Sequence, residues 1–340
     1  MTHPSALDCT VVVPSHRGSH RLPRLLECFA RQDYKGTWEL LVVLDGRDEQ
    51  SLRLLHTYKD TLPLRLFIRE RSGGVAAAMR DGVTQARGRI IIRCDDDLAP
   101  RPDFVRLHMS HHVDAACGVI GPTLDVFPGG RYAQIYGEPS NRRALASAYA
   151  RPERERWVGW AANNSAPREV IENVGSFDPE LWYGEDSELG FRLHAAGLPI
   201  VVDPQLQTEH HGPAITVAAR APRAFVAGAS RAAFQRRHPE ASQQAAPTGK
   251  VGFGGRLWNS AVALTSSALR THSSYARAGR LADGVLRVLP AAVGAKLVAL
   301  LVESAGRAGT RDGGHDMSKF RAQKSRELAQ ETRTAKRTEP

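Results

Sequence analysis

Three consecutive aspartates, Asp95–Asp97, are the residues of this chain whose position most directly suggests chemistry. They follow the largely apolar run Arg89–Arg93 and precede a Leu-Ala-Pro turn. Carboxylates grouped where a buried strand ends are costly in free energy unless a cation neutralises them. Two aspartates separated by one residue suit a hard divalent metal whose other ligands are water and phosphate oxygens. The sequence therefore predicts a site for a metal-bound phosphate compound.

Short apolar runs alternate with amphipathic stretches over residues 9–120, and this alternation predicts the elements that hold the aspartates. The runs are rich in Val, Ile and Leu, as expected for strands; they are Cys9–Val13, Glu39–Leu44, Leu64–Ile68 and Ile90–Arg93. The stretches between them have apolar residues at helical spacing; they are Arg21–Arg31, Asp48–Lys59 and Val75–Ala86. Strands that alternate with helices predict an α/β fold with a parallel sheet and crossover helices.

Polar residues directly follow three of these predicted strands. Pro14 and Ser15 come after the first, Asp45 after the second, and Asp95–Asp97 after the fourth. In an open parallel sheet, ligands bind outside the carboxyl ends of the strands. We therefore expect the three segments to line one crevice.

The composition limits the classes of function. A length of 340 residues predicts one large domain or two, and a net charge of +10 is compatible with nucleic acid, anionic lipid or phosphorylated substrates. Nucleic acid is disfavoured as a partner, because aromatic residues make up only 6% of the chain and no basic segment is interleaved with them. The four widely spaced cysteines form no CxxC motif, which is typical of a reduced, cytoplasmic protein. We expect no signal peptide and no membrane-spanning helix.

The remainder of the chain is first irregular and then helical. Residues 186–196 predict a short helix that ends at Gly197. Ala- and Arg-rich segments predict helices at about residues 220–237 and 255–305. The charged residues 306–340 contain almost no apolar side chains, so we expect them to be disordered or to form a solvated helix.

Four stretches, taken in order, resemble the inverting glycosyltransferases of glycosyltransferase family 2. Three of them match the strands of that family with their polar ends; they are Thr10–Ser15, Leu40–Gly46 and Arg89–Asp97. The fourth matches the acceptor-side block of the family and consists of Ala161–Ser165, Gly175–Asp178, Trp182–Asp186 and Gly190–Leu193. The resemblance implies the GT-A fold, a Rossmann-like, mostly parallel sheet flanked by helices.

The resemblance also implies a division of the chain. A catalytic domain is expected over residues 1–212, with a nucleotide-sugar half at about 1–97 and an acceptor half at about 98–212. The helical region 213–305 and the charged tail 306–340 lie outside the resemblance. They are expected to form a C-terminal extension.

The implied activity is metal-dependent transfer of a sugar from a nucleoside-diphosphate sugar, with a UDP-sugar favoured, to an acceptor hydroxyl. Asp97 matches the metal-binding aspartate of the family, and Asp95 matches the aspartate that faces the ribose or a metal-bound water. Either His210 or His211, with His210 favoured, is expected to complete the metal shell; a surface pair without a ligand role is the alternative. An imidazole ligand favours Mn²⁺ over Mg²⁺.

Two adjacent carboxylates are the candidate catalytic groups. An acceptor hydroxyl must lose its proton as it attacks the anomeric carbon, so the reaction requires a carboxylate within hydrogen-bond reach. We assign Asp186 as this base and Glu185 as the residue that orients the acceptor. The alternative is that Asp186 only caps the helix that begins there.

Other residues are assigned to the two substrates. The donor nucleotide is expected to contact Pro14, Ser15, Asp45, Arg80, Asp95 and Asp96. Arg80 is alternatively an exposed helix arginine, and Asp96 is alternatively a solvated neighbour. The acceptor is expected to contact Asn163, Trp182 and Tyr183, whereas Trp160 either stacks on a sugar or packs in the core.

The predicted C-terminal helices have three possible roles. The segment Val285–Ala305 is amphipathic, so it either packs on the catalytic domain, forms a homodimer or lies on a membrane surface. Together with the basic tail, it favours peripheral contact with the inner face of the plasma membrane and a lipid-linked or cell-envelope acceptor. A soluble acceptor, as in secondary-metabolite glycosylation, is the alternative.

Two other classes of protein are compatible with the same sheet. A non-catalytic glycosyltransferase-like binding protein would be expected to lack Asp97, Asp186 or the histidine pair, and all of them are present. A sugar-1-phosphate nucleotidyltransferase would have no use for Glu185 and Asp186. Glycosyl transfer is therefore the favoured function.

Overall fold

Ten strands form two sheets in the computed structural model, which describes residues 7–181, 183–244 and 252–313. The strands are β1 (Leu7–Ser15), β2 (Trp38–Leu44), β3 (Leu64–Ile68), β4 (Gly88–Cys94), β5 (Leu98–Ala99), β6 (Gly118–Ile120), β7 (Thr123–Asp125), β8 (Asn163–Pro167), β9 (Ile200–Val202) and β10 (Thr208–His210). The larger sheet has the order β3-β2-β1-β4-β8-β6-β9, and the smaller has the order β5-β10-β7.

The four predicted strands are present as β1 to β4, and they pair in parallel. The central residues of β1, β2 and β4 are wholly buried, as expected for strands covered on both faces; Val11, Leu40 and Ile92 are 0% exposed. Strand β3, at the edge of the sheet, is only partly buried. Strand β8 runs antiparallel to β4 and β6, whereas β6 and β9 are parallel. The predicted α/β fold with a mostly parallel sheet is confirmed.

Eleven α-helices lie within the described residues, and each of those predicted from apolar spacing is present. The helices are α1 (Leu22–Phe29), α2 (Glu49–Thr57), α3 (Val75–Gln85), α4 (Phe104–Ser110), α5 (Glu138–Tyr149), α6 (Arg168–Asn173), α7 (Glu185–Ala195), α8 (Val217–Arg237), α9 (Phe253–Ala268), α10 (His272–Val285) and α11 (Ala291–Asp312). On α1, the side chains of Leu22, Leu25 and Phe29 are buried at helical spacing against the sheet.

The chain divides into two compact units. The first contains the described residues of Met1–Leu124 and Leu145–Gly212, and the second contains those of Asp125–Ala144 and Pro213–Phe320. Residues 125–144 therefore group with the C-terminal helices, although we predicted that they belong to one continuous catalytic segment. In the part of the chain that the structure describes, no helix combines the length and the apolar character needed to cross a bilayer.

The predicted helical stretch 255–305 is instead three helices, α9, α10 and α11. The side chain of Thr271 accepts from the backbone of Ser274 in a capping box, which starts a new helix at α10. Pro290 precedes α11, because its ring fits a helix start but not a helix interior.

Helix α11 continues to Asp312 with Ala308 and Gly309 buried, although we expected residues 306–340 to be disordered or to form a solvated helix. Glycines allow α8 and α11 to approach closely: a Cβ on Gly309 would lie 1.8 Å from the carbonyl oxygen of Phe225, and one on Gly228 would lie 2.0 Å from that of Gly306. The rest of the predicted tail, residues 314–340, lies outside the described residues.

Candidate active site

Asp97 lies beside His210 at the carboxyl end of β4. The antiparallel pairing of β5 with β10 sets Leu98 opposite His210, and this register brings the two side chains together. Nε2 of His210 is 3.3 Å from Oδ2 of Asp97. Burial by itself raises the pKa of Asp97, but the hydrogen bond and the charge of His210 outweigh it and hold that pKa below its ordinary value.

The two neighbouring histidines have different partners. The Nε2 atom of His211 is 3.1 Å from a carboxylate oxygen of Glu209, and its backbone N–H donates to the carbonyl oxygen of Asp97 over 2.9 Å. The ring of His211 therefore pairs with Glu209, whereas the ring of His210 pairs with Asp97. This placement favours His210 as the ligand of a cation bound there.

A glycine follows the histidines where the backbone passes close to this pair. A Cβ built on Gly212 would lie 2.1 Å from Oδ2 of Asp97 and 3.2 Å from Nε2 of His210. Any side chain at this position would displace the carboxylate. Gly212 thus keeps both donor atoms accessible to one ion.

Asp96 is neither a solvated neighbour nor open to a nucleotide, contrary to both predictions for it. Its side chain is buried and accepts from Nε of Arg21 at 2.8 Å, from Nη2 of Arg21 at 2.9 Å and from Oγ of Ser15 at 2.6 Å. Burial raises the pKa of Asp96, although the charge of Arg21 opposes the shift. These bonds tie the end of β1 to the end of β4, and Arg21 was not singled out from the sequence.

Arg93 is a second residue that the sequence analysis missed. It lies on β4, is 2% exposed, and donates from Nε to Oδ1 of Asp95 over 2.8 Å. Its Nη1 atom pairs with the carboxylate of Asp186 on α7. The guanidinium carbon is 5.9 Å from the centre of the Phe177 ring. An arginine directly after three isoleucines of a buried strand is the sequence signal that could have identified it.

Glu185 and Asp186 form the first turn of α7, behind the left-handed Gly184. No side chain caps this helix, so the cap-only interpretation of Asp186 is wrong. Acidic groups in the first turn are stabilised by the helix dipole. Glu185 is 5% exposed, whereas Asp186 is only partly buried and holds its position through Arg93.

Asp45 accepts hydrogen bonds from four donors. They are Nη1 of Arg69 at 2.5 Å, Oγ of Ser72 at 2.6 Å, and the backbone N–H groups of Gly73 and Gly74, both at 2.8 Å. A nucleobase N–H would have to replace one of these donors. Asp45 therefore fixes the loop that precedes α3.

The other predicted donor residues differ in exposure. Pro14 and Ser15 are buried at the end of β1, and the Oγ atom of Ser15 is bound to Asp96. Arg80 is exposed on α3. Asp95 is partly exposed beside Arg93, so one face of its carboxylate is accessible to a ligand.

Asn163 lies in the core of the first unit instead of facing an acceptor. Its Oδ1 atom is 2.9 Å from Nε2 of His108, and its Nδ2 atom donates to the carbonyl oxygen of Leu206 and to Oγ1 of Thr208. Asn163 is 1% exposed and both of its amide N–H groups are used, so it does not face a sugar and this prediction is corrected. Hydrogen bonds to distant residues, which a sequence does not reveal, account for the difference.

The three predicted aromatic positions have different outcomes. Trp160 is 1% exposed, which supports the core-packing interpretation. Tyr183 is 36% exposed and remains available to a ligand. Trp182 lies outside the described residues.

The donor set at Asp97 and His210 fits a divalent cation. One carboxylate oxygen and one imidazole nitrogen 3.3 Å apart are close enough to bind a single ion. Among the described residues, no group of three or more His, Cys, Asp or Glu side chains is arranged to hold a metal. Its other ligands would therefore come from water and from phosphate oxygens, as suits a hard cation that binds with a nucleotide.

A family profile described as Glycosyl transferase family 2 matches residues 10–169. The chain is 26% identical over 222 residues to validoxylamine A glucosyltransferase of Streptomyces hygroscopicus subsp. jinggangensis, a match that covers 57% of this chain and 53% of that protein. It is 34% identical over 101 residues to dodecaprenyl-phosphate galacturonate synthase of Rhizobium johnstonii, which covers 28% of this chain and 30% of that protein. The chain thus spans about half the length of the curated glucosyltransferases that it matches.

Solved structures share the fold at low sequence identity. The mannosyltransferase PcManGT from Pyrobaculum calidifontis, in complex with GDP-Man and Mn²⁺, has a TM-score of 0.56 and 16% identity, and the match covers 89% of this chain and 87% of that one. TarS 1–349 of S. aureus, in complex with UDP-GlcNAc, has a TM-score of 0.51 and 16% identity, and the match covers 89% and 92%.

The fold and the sequence comparison lead to the same assignment. The strand order, the polar ends of the parallel strands and the Asp-x-Asp turn all fall within the matched segment or beside it. Both the GT-A fold and the predicted glycosyltransferase domain are confirmed. Residues 10–169 therefore match glycosyltransferase family 2 in sequence, and the chain shares the GT-A fold.

Proposed function

We propose that this protein transfers a sugar from a nucleoside-diphosphate sugar to an acceptor hydroxyl, with inversion at the anomeric carbon. The observation that carries the proposal is the pairing of Asp97 with His210 within the unit that also contains the Asp186 carboxylate at the start of α7. Asp97 and His210 suit a cation that binds the diphosphate, and the carboxylate of Asp186 suits a base that accepts the proton of an incoming hydroxyl. Both are needed for a single displacement.

Asp186 is the proposed general base. In the reaction, the bond between the anomeric carbon and the diphosphate oxygen breaks while the acceptor oxygen bonds to that carbon from the opposite face. The acceptor proton moves to the Asp186 carboxylate. Glu185, buried beside it, is proposed to orient the acceptor, and the exposed Tyr183 is proposed to contact the acceptor sugar.

Asp97 and His210 are the proposed metal ligands. A divalent cation bound there supplies positive charge to the departing diphosphate, which stabilises the transition state. An imidazole ligand favours Mn²⁺ over Mg²⁺. The Mn²⁺ complex of the P. calidifontis mannosyltransferase supports this choice.

Asp95 and Arg80 are proposed to contact the donor, because both have exposed surface in the first unit. Pro14 and Ser15 are proposed to line the nucleoside through backbone atoms. A UDP-sugar is the proposed donor; the TarS complex with UDP-GlcNAc supports it, whereas the mannosyltransferase complex with GDP-Man is the alternative.

A lipid-linked acceptor and a peripheral membrane location are further proposals. The second unit exposes Leu281, Val285 and Val288 at 73%, 45% and 82%, and the exposed Arg280 and Arg287 lie next to them in sequence. Apolar side chains flanked by arginines suit an anionic membrane surface. A relative named for a dodecaprenyl phosphate supports this acceptor, and a homodimer through the same helices is the alternative use of the surface.

A donor panel tests the proposed function. We expect the purified protein to release nucleoside diphosphate from one UDP- or GDP-sugar in the presence of Mn²⁺, with water in place of the acceptor, and to stop when EDTA is added. Nucleoside triphosphate mixed with sugar 1-phosphate should give no product. Release of pyrophosphate from that mixture would instead identify a nucleotidyltransferase, and inactivity on every donor would favour a binding protein.

A further inference from the structure

Arg93 connects the two halves of the proposed site. It lies on β4, which leads into the aspartate turn, and its guanidinium is shared by Asp95 on the donor side and Asp186 on the acceptor side. The contact with Asp95 uses two nitrogens, Nε at 2.8 Å and Nη2 at 3.2 Å. The third nitrogen, Nη1, pairs with Asp186. One rigid, planar group therefore sets the positions of two carboxylates from different elements.

Arg93 cannot act by touching a substrate, because only 2% of it is exposed. Its partner on α7, Asp186, is partly exposed, because that side chain retains 19% of its accessible surface. Any effect of Arg93 on an acceptor must therefore pass through that carboxylate.

Burial of this arginine is not explained by packing. Its neighbours on β4, Ile90–Ile92, are apolar and buried, and an apolar side chain would fill the same strand position without a desolvation cost. A buried cation is tolerated when its charge is compensated, and replacing such a pair by apolar residues is often neutral or stabilising. The charges of Asp95 and Glu185 raise the pKa of Arg93 above its ordinary value even though burial alone lowers it. An arginine side chain is not deprotonated in proteins, so Arg93 is a buried cation paired with carboxylates, and such a pair is weak evidence for a role in stability alone.

We propose that Arg93 is a positioning residue that holds the carboxylate of Asp186 in the orientation needed to accept the acceptor proton, in fixed relation to Asp95. The inference rests on the proposed function of Asp186. The positive charge of Arg93 also offsets the repulsion between the carboxylates of Asp95 and Asp186. Both can therefore lie beside the same guanidinium before any cation binds.

A double-mutant cycle tests the proposal with R93M, D186N and the double variant. The readouts are kcat and KM for Mn²⁺-dependent hydrolysis of the donor found in the panel, together with the free energy of unfolding in urea. We expect R93M to lower kcat about 10²-fold with the donor KM changed less than about threefold. In the D186N background, R93M should lower kcat less than about threefold, because its effect passes through Asp186.

Two variants control for a purely structural effect. R93K keeps the charge but lacks the planar guanidinium, so it should recover stability in urea while it recovers less than about threefold of the kcat lost in R93M. R192M removes a partly buried arginine on α7, the helix that carries Asp186. Arg192 donates to Glu188 and to the backbone carbonyl oxygens of Val174 and Ser176. We expect R192M to reduce stability while its effect on kcat remains additive with that of D186N.

The outcomes separate this proposal from the proposed function. Additive effects of R93M and D186N on kcat, or a raised donor KM with unchanged kcat, would overturn the role of Arg93 while leaving the enzyme's activity established. If the unsubstituted protein turns over no donor, and the two substitutions are coupled only in urea unfolding, the contact between Arg93 and Asp186 is structural. That outcome would reject the proposed function and with it the positioning role. Absence of coupling both in kcat and in urea unfolding would also reject the positioning role of Arg93.

Discussion

Three neighbouring carboxylates at the end of β4 each have a different basic partner. Arg93 holds Asp95, Arg21 holds Asp96, and His210 lies beside Asp97. The motif alone indicated a metal site, but it did not indicate these partners, because they come from elsewhere in the fold. Arg21, for example, is 75 residues away from Asp96 in sequence.

His210 and His211 provide a matched pair of substitutions. We expect H210A to weaken Mn²⁺-dependent binding of UDP by about 10–100-fold, as removal of a group that supports a metal site does. H211A should change the affinity less than about threefold, because its ring pairs with Glu209 instead. Calorimetric titration of UDP into each variant with MnCl₂ measures both. Equal losses in the two variants would show that neither ring is specifically the ligand.

Asp186→Asn tests the proposed base at constant shape. The amide retains hydrogen bonding but cannot take a proton, so we expect kcat to fall by roughly 10²–10⁴-fold with UDP affinity little changed. Glu188→Gln, on the same helix and bound to Arg192, is the control and should keep kcat within about threefold. If D186N loses UDP binding instead of turnover, the residue belongs to the nucleotide side.

At the scale of elements, the regular parts of the first unit were predicted well. Buried parallel strands and amphipathic helices have periods that a sequence displays, so β1 to β4 and α1 to α3 were found within two residues. The three-residue strands β6, β9 and β10 have no such period, and β5 has only two residues. The pairing of β5 with β10 nevertheless positions Asp97 against His210, so it had to be seen in the structure.

Two histidines, His108 on α4 and His112 just after this helix, make folding sensitive to pH. Burial lowers the pKa of His108 to about 3 and that of His112 to about 4. Both pKa values lie below the ordinary 6.5, so between about pH 4 and 6.5 the unfolded chain binds more protons than the folded one. Their contribution to stability is thus complete above about pH 6.5 and is lost as the pH falls.

H112Q measures this contribution. We expect the free energy of unfolding to fall from pH 7 to pH 5 less steeply in H112Q than in the unsubstituted protein, by up to about 1.4 kcal/mol per pH unit. Urea unfolding at pH 5, 6 and 7 gives the slopes. Identical slopes would mean that His112 takes up its proton equally in both states.

For the whole molecule, the C-terminal unit was the least predictable part. Its composition indicated helices, but the division into α9, α10 and α11 depends on the Thr271 cap and on Pro290. Glycine contacts between α8 and α11 extend the last helix to Asp312, because they provide burial that a charged, glycine-containing segment does not indicate by itself. Chain length and net charge give no information on such contacts.

The exposed apolar residues of the C-terminal unit give a prediction for the whole molecule. We expect the protein to bind vesicles that contain phosphatidylglycerol at low salt and to be released at high salt. Replacing Leu281 and Val288, exposed by 73% and 82%, with Glu should abolish this binding and leave donor hydrolysis unchanged.

Neutral phosphatidylcholine vesicles are the control in the flotation assay for vesicle binding. If the unsubstituted protein ignores anionic vesicles at low salt, a soluble acceptor becomes the better proposal. A dimer in solution that L281E/V288E converts to a monomer would assign the same surface to a second copy of the chain.

Binding of UDP with and without Mn²⁺, measured by calorimetry on the unsubstituted protein and on D97A, tests the central claim most directly. The account predicts that UDP binds the unsubstituted protein at least about tenfold more tightly with Mn²⁺ than with EDTA, and that D97A loses this difference while its thermal unfolding is unchanged. UDP affinity that is independent of Mn²⁺, or a D97A variant that retains the full Mn²⁺ effect, would contradict a metal-dependent nucleotide site at Asp97 and His210.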